Sequence, residues 1–147
     1  MVEISDSEAC IFHLSVPGTW MDAMPNLSDY AKAISPDGVT AVTANGFLPE
    51  LEGDISVVNY WTEMLRPELE ARFGDTLTVS EEGVTVPFAG AEGGRYMFQG
   101  KLGDETYYFM QLYIINGMEI YQLSFTSTSP IDPNQAEIAA IVDSFGF

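Results

Sequence analysis

Apolar and polar positions along this chain keep a readable period, and the places where the period changes mark the elements. Cys10, Phe12, Leu14 and Val16 alternate with Ile11, His13 and Ser15, which predicts a half-buried strand ended by Pro17-Gly18 and followed by Trp20. Residues 22–37 carry Pro25, Asn26, Pro36 and Asp37 and read as irregular, with one helical turn near Ser28–Ala33. Val39 to Ala44 reads as a second strand. From Asp54 to Phe73, Ile55, Val58, Trp61, Leu65 and Leu69 recur at three- and four-residue spacing, the signature of a helix buried along one stripe. Asp54 or Ser56 suits its start and Gly74 its stop. Pro67 lacks the N–H an α-helix needs there, so a kink or break is expected after Arg66.

Residues 76–80 and 83–88 read as two short strands around Glu81-Glu82-Gly83, and Gly90, Gly93 and Gly94 as a loop. The clearest pattern follows: strands over Arg95–Leu102, Glu105–Ile115 and Met118–Ser127, joined by Gly103-Asp104 and Asn116-Gly117. Asn-Gly favours a type I′ turn, in which both central residues need positive φ. That turn would pair Tyr108 with Phe125, Met110 with Leu123 and Leu112 with Tyr121 on one face. The other face would pair Phe109 with Ser124, Gln111 with Gln122 and Tyr113 with Ile120. Both faces are too apolar to lie open to water, so a helix is expected on each. The last helix is expected over Asp132–Phe145, capped by Asp132, with Pro133 at its first position and Gln135 in a capping box. The expected fold is α+β: one domain over residues 1–147, an α/β/α sandwich around a central antiparallel sheet.

Composition narrows the function. The chain has 147 residues, 46% of them apolar and 18% charged, which suits one domain with a sizeable core. Five Lys and Arg against 22 Asp and Glu leave a net charge of −17. Nucleic acid and anionic membrane surfaces need clustered cations, so both are excluded as partners. No run of about 18 apolar residues is present, so no direct membrane insertion is expected. The N-terminus shows neither a basic region nor an apolar one, so no signal peptide is visible. Either the protein works in the cytoplasm, or a leader preceded Val2 and was removed.

Catalytic chemistry has few candidates. Cys10 is the single cysteine and His13 the single histidine, which excludes an internal disulfide and a multi-histidine metal centre. In a strand those two side chains point to opposite faces and cannot form a thiolate–imidazole pair. No G-x-S-x-G marks a nucleophile elbow. Glu50, Glu52 and Asp54 alternate around Gly53 but lack the order of a calcium loop, and read as a solvated loop. Gly90-x-x-Gly93-Gly94 precedes a strand and no Lys follows, so it is no phosphate cradle. No cofactor, no metal and no enzymatic activity are expected; a small hydrolase is the weakest alternative.

Tyr107, Phe109, Gln111, Tyr113 and Gln122 share one sheet face, an aromatic wall with two amides suited to a peptide or small ligand. Strand Glu105–Ile115 spans roughly 36 Å and a helix over Asp132–Phe145 roughly 21 Å. Such a helix leaves part of the wall open near one end, for a protein partner or a second copy.

The order of elements, with Val16-Pro17-Gly18-Thr19-Trp20 after the first strand and Asp143-Ser144-Phe145 closing the last helix, resembles the PsbP-like fold and the bacterial DcrB-like lipoprotein domains. The resemblance implies an accessory or binding protein with no shared catalytic motif, extracytoplasmic and secreted or membrane-anchored through a removed N-terminal segment. A cytoplasmic branch is similar to secretion chaperones that shield apolar helices, which is the alternative function.

Overall fold

The computed structural model describes residues 1–5, 11–23 and 30–147. Its centre is a seven-stranded, wholly antiparallel sheet. The strands are β3 (Met21–Asp22), β4 (Tyr30–Ile34), β5 (Thr40–Phe47), β6 (Thr78–Phe88), β7 (Ala91–Leu102), β8 (Glu105–Asn116) and β9 (Glu119–Ser127). They lie side by side in the order β3-β4-β5-β9-β8-β7-β6. β1 (Val2–Glu3) and β2 (Ser15–Val16) form a separate small ladder. Helices cover both faces, so the expected α/β/α sandwich is the fold.

On one face lies α3 (Ala136–Ser144) together with the N-terminal segment. Phe12, Leu14 and Val16 point inward while Ile11 and His13 point out, so the alternation read from the sequence is right. Regular pairing is shorter than expected. Only Ser15–Val16 forms a strand, and His13 makes an isolated bridge to Gly146. Cys10 lies outside the described residues. Ser144 Oγ donates to the Ser15 carbonyl at 3.0 Å and accepts from the Ser15 amide at 2.9 Å. Phe145 stacks between Phe88 and Phe12, with centroids 4.9 and 5.5 Å away.

Several expectations need correction. The helical turn near Ser28–Ala33 gives way, over its described part, to β4, in which Ala31 and Ala33 face the core and Tyr30, Lys32 and Ile34 the other side. The strands at 76–80 and 83–88 are one strand, β6, in which Glu81 and Glu82 pair with Met97 and Tyr96 between bulges at Ser80 and Gly83. Gly93 and Gly94 belong to β7, not to a loop. A Cβ on Gly93 would meet Phe88 Cβ at 2.8 Å and the Tyr113 carbonyl at 2.9 Å, so the strand passes there only as glycine. The last helix starts at Ala136. Gln135 is its cap, accepting from the Ile138 amide at 2.9 Å, while Asp132 holds the preceding turn.

The meander register differs by two residues. Tyr108 pairs with Ser127, Met110 with Phe125 and Leu112 with Leu123; on the other face Phe109 pairs with Thr126, Gln111 with Ser124 and Tyr113 with Gln122. Asn116 is the last residue of β8, and the turn is Gly117-Met118, with positive φ at Gly117 alone (67°). That is the pattern of a type II′ turn. A slip of two residues leaves every side chain on its expected face.

The opposite face is covered by α1 (Val57–Tyr60), a π turn (Trp61–Leu65) and α2 (Arg66–Phe73), one continuous helical run. Ser56 caps it, accepting from the Asn59 amide at 3.0 Å. The irregularity expected after Arg66 lies before it. The wide turn lets the Arg66 amide reach back to the Trp61 carbonyl, and Pro67 then occupies the first turn of α2, where no N–H is required. Trp61 is thereby set over Tyr96 and Phe98, at 4.5 and 5.8 Å.

Candidate functional site

The aromatic wall is where the sequence places it, but a different helix lies on it. Its cover is the α1–α2 run, whereas α3 packs on the opposite face. The last helix, expected to leave one end of the wall open, therefore covers none of it.

Tyr113 is 1% exposed. Its ring meets Tyr60 of α1 at 5.8 Å and the edge of Tyr96 at 5.6 Å. Its hydroxyl donates to Gln111 Oε1 and accepts from Gln122 Nε2 at 3.0 Å. Gln111 is buried and Gln122 half-buried. The two amides expected to greet a ligand are thus spent largely on a core tyrosine. Burial pushes the Tyr113 hydroxyl well above the usual phenol value, and burial raises Tyr60 and Tyr96 as well. Phe109 is half-buried between Phe98, stacked at 4.9 Å, and Phe73 at 5.7 Å. Tyr107, half-buried beside Gly100, lies toward the other end of β8. The five residues share a face, yet they do not form one open surface, and removing Tyr113 would strip core.

What stays open flanks α1 on both sides. On the β5 side a groove of about 350 Å³ is lined by Asn45, Phe47, Leu48, Tyr60, Met64 and Gln122, with Glu50 at its edge. Leu48 is 62% exposed and Met64 39%, while the Phe47 and Tyr60 rings form the wall behind them, 5.0 Å apart. On the β7 side a groove of about 420 Å³ runs past Val57, Val58, Gly94 and Ile115, with Glu92 at its edge. Its floor is low because β7 carries no side chain at Gly94, whose Cβ would face Tyr96 and Val57. Of the sequence-predicted residues, Gln122 reaches the first groove and Tyr113 the second. Leu48, Val58 and Met64 were missed as site residues. Val58 was expected in the buried stripe with Trp61 and Leu69, yet it is exposed at the start of α1, while Met64 lies off that stripe and Leu48 in the loop that enters the helix.

Other chemistry candidates lie elsewhere. His13 Nδ1 sits 2.7 Å from Glu3 Oε1 and lines neither groove. Glu52 and Asp54 are exposed, and among the described residues no cluster of His, Cys, Asp or Glu has metal-site geometry. Among the described residues no helix is long and apolar enough to cross a membrane. A further groove of about 430 Å³ at the start of α3 mixes apolar Pro130, Ile131 and Ile138 with hydroxyl and carboxyl groups around Trp20, whose indole N–H donates to Glu137 at 2.6 Å.

No family model and no curated protein sequence matches the chain. Solved structures do resemble it. One is a protein from Bacteroides thetaiotaomicron VPI-5482, at a TM-score of 0.52 and 15% identity over 97% of this chain. The chain spans 46% of that protein's length. Another is PA94 of Pseudomonas aeruginosa, a protein of unknown function, at a TM-score of 0.52 and 14% identity over 86% of this chain and 82% of PA94. LpqN of Mycobacterium tuberculosis, involved in cell envelope biogenesis, aligns more loosely, at a TM-score of 0.46 and 13% identity over 99% of this chain and 88% of its own. The first two share the fold of this chain.

Proposed function

We propose that this chain is a non-enzymatic accessory domain of the PsbP-like, DcrB-related kind, working outside the cytoplasm and holding a protein or peptide partner at the α1 grooves. The observation that carries the reading is the pair of exposed apolar side chains, Leu48 and Met64, set in front of the half-buried Phe47 and Tyr60 rings. Contiguous exposed apolar surface beside an aromatic wall is what interaction sites present. The net charge of −17 suits an exported soluble surface, and the sequence resemblance to accessory domains points the same way.

A photo-crosslinking amino acid at Leu48, expressed in the source organism, tests this. A discrete adduct is expected from Leu48, none from the same probe at exposed Ile11 on the other side of the sheet, and loss of the adduct in a Met64→Asp background. Equal labelling from both positions, or none from Leu48, sinks the site. Fractionation of the same cells decides between the extracytoplasmic reading and a cytoplasmic chaperone.

A further inference from the structure

We infer that the partner is a basic amphipathic segment, a helix or strand carrying Leu- or Val-like side chains flanked by Lys and Arg, seated across α1 with apolar groups in both grooves. This rests on the proposed binding role and adds the chemistry of the occupant. Two observations on this surface specify it.

The first is the division of apolar and charged groups. Val58 is 64% exposed at the start of α1 and borders the β7-side groove together with Ile115. Leu48 and Met64 border the β5-side groove, so apolar contacts are offered on both flanks of one helix. Each groove has a carboxylate at its edge, Glu50 on one side and Glu92 on the other, and neither is lined by any Lys or Arg. The loop leading into α1 adds exposed Glu52 and Asp54, and the π turn adds exposed Glu63.

The second is where the cations are. Arg66 is committed to Glu70 and Glu82, and Arg95 to Glu81 through two nitrogens at 2.6 and 3.0 Å. Arg72 lies over the Phe73 ring at the end of α2, and Lys101 at the far end of β7, its amide bonded to Thr76 below α2. Lys32 shares the α1 side of the sheet but stands on β4, opposite Thr43 and one strand beyond the residues that line the β5-side groove. Grooves edged by carboxylates and lined by no cation repel an acidic or anionic occupant and attract a basic one, while the apolar side chains inside the rim supply contact that charge alone does not.

The test uses the whole chain and three synthetic 14-residue peptides: alternating Leu/Lys blocks of amphipathic helical pattern, the same peptide with Glu for Lys, and one with Ser for Leu. In ¹H–¹⁵N spectra the Leu/Lys peptide is expected to shift the amides of Leu48, Val58, Met64 and Ile115, with affinity falling as salt rises. Val58→Ser with Met64→Ser keeps the charge and should weaken binding by about tenfold or more. Gly94→Ala should weaken it independently, because its methyl would lie 3.4 Å from the Tyr96 ring and 3.9 Å from Val57, filling the groove without a clash. Binding of the Ser/Lys peptide as tight as that of the Leu/Lys peptide, or insensitivity to the Ser variants, means plain charge attraction and overturns the proposal. Preference for the Leu/Glu peptide at the same amides overturns the partner chemistry and leaves the groove site standing. Shifts confined to other amides overturn both. Concentration-dependent shifts of the same amides without peptide assign the surface to a second copy instead, and shifts with phosphatidylcholine vesicles assign it to lipid.

Discussion

The two faces of the sheet are built to different standards of closure. Under α3 the residues are almost wholly apolar, and Phe12, Leu14, Ala33, Val42, Ala44, Leu123, Phe125 and Ile141 are fully sealed from solvent. Under α1–α2 the sealed rings of Trp61, Tyr96, Phe98 and Tyr113 sit beside a buried amide network, two grooves and a helix interrupted by a π turn. The first face spends its side chains mainly on packing, with polar contacts such as Ser144 to Ser15 and Trp20 to Glu137 at its margin. The second carries polar groups whose partners must be matched, and exposes apolar groups that packing does not use. Stability is expected to concentrate on the first and recognition on the second.

The largest effect should therefore come from the α3 face. Phe145 is 3% exposed and stacks on two rings at once. Phe145→Ala should cost about 3–5 kcal/mol, the transfer of the ring plus the cavity it leaves. Urea unfolding measures it. A cost below about 1 kcal/mol would mean that the closure of the two faces is alike after all, and that α3 frays from the sheet.

On the other face, Tyr113→Phe keeps the ring and removes the hydroxyl that links Gln111 and Gln122. A buried amide oxygen then lacks its donor, at about 1–3 kcal/mol. The same hydroxyl sets a pH dependence. Its folded pKa lies above the unfolded value, so stability is complete below pH about 10 and falls as pH rises beyond it, because the unfolded chain releases the proton first. The slope per such group is about 1.4 kcal/mol per pH unit, and Tyr113→Phe should make alkaline unfolding shallower. An unchanged slope would leave Tyr60, Tyr96 and Tyr121, which are also shifted upward, as the groups responsible.

The same contrast explains what could be read from the chain. Alternation and glycine turns placed the meander and assigned each side chain to its face, because a face is set by parity. The register was not readable, because Asn116-Gly117 fits a type I′ turn as a dipeptide, while the chain turns one residue later on Gly117 alone. β4 was missed because its inward residues are Ala31 and Ala33 and its bulky ones point outward, so the apolar signal ran in the wrong phase. The five wall residues were rightly put together on one face. That Tyr113 and Gln111 are buried followed from which helix lies there, and neither helix names its face by its own sequence.

A smaller effect separates long-range charge from local sites. At −17 the folded chain repels itself, so NaCl should raise the melting temperature by a few degrees, on the order of 1 kcal/mol or less. Calcium at matched ionic strength should add nothing, since Glu50, Glu52 and Asp54 are exposed. An extra rise at millimolar calcium would place a cation on the open face beside α1, and the acidic rim would then be a metal loop rather than a lure for a basic segment.

The smallest expected change bears most on the division of labour. Val58→Ser with Met64→Ser replaces two apolar side chains that already face water, at 64% and 39% exposure. Surface substitutions away from caps and networks usually shift stability by less than about 0.5 kcal/mol each. Neither residue is a cap: Ser56 holds that role, and the aromatic contacts of the helical run are made by Tyr60, Trp61 and Phe73. Serine also matches valine in helix propensity and falls only slightly below methionine. The variant should unfold in urea within about 1 kcal/mol of the parent, its midpoint hardly moved and its slope unchanged. Val58 and Met64 would then be residues the fold does not need, which is how a surface kept for a partner differs from one kept for packing. A loss of about 2 kcal/mol or more would instead show that both side chains fold back over Tyr60 and Tyr113, and that the second face is as closed as the first.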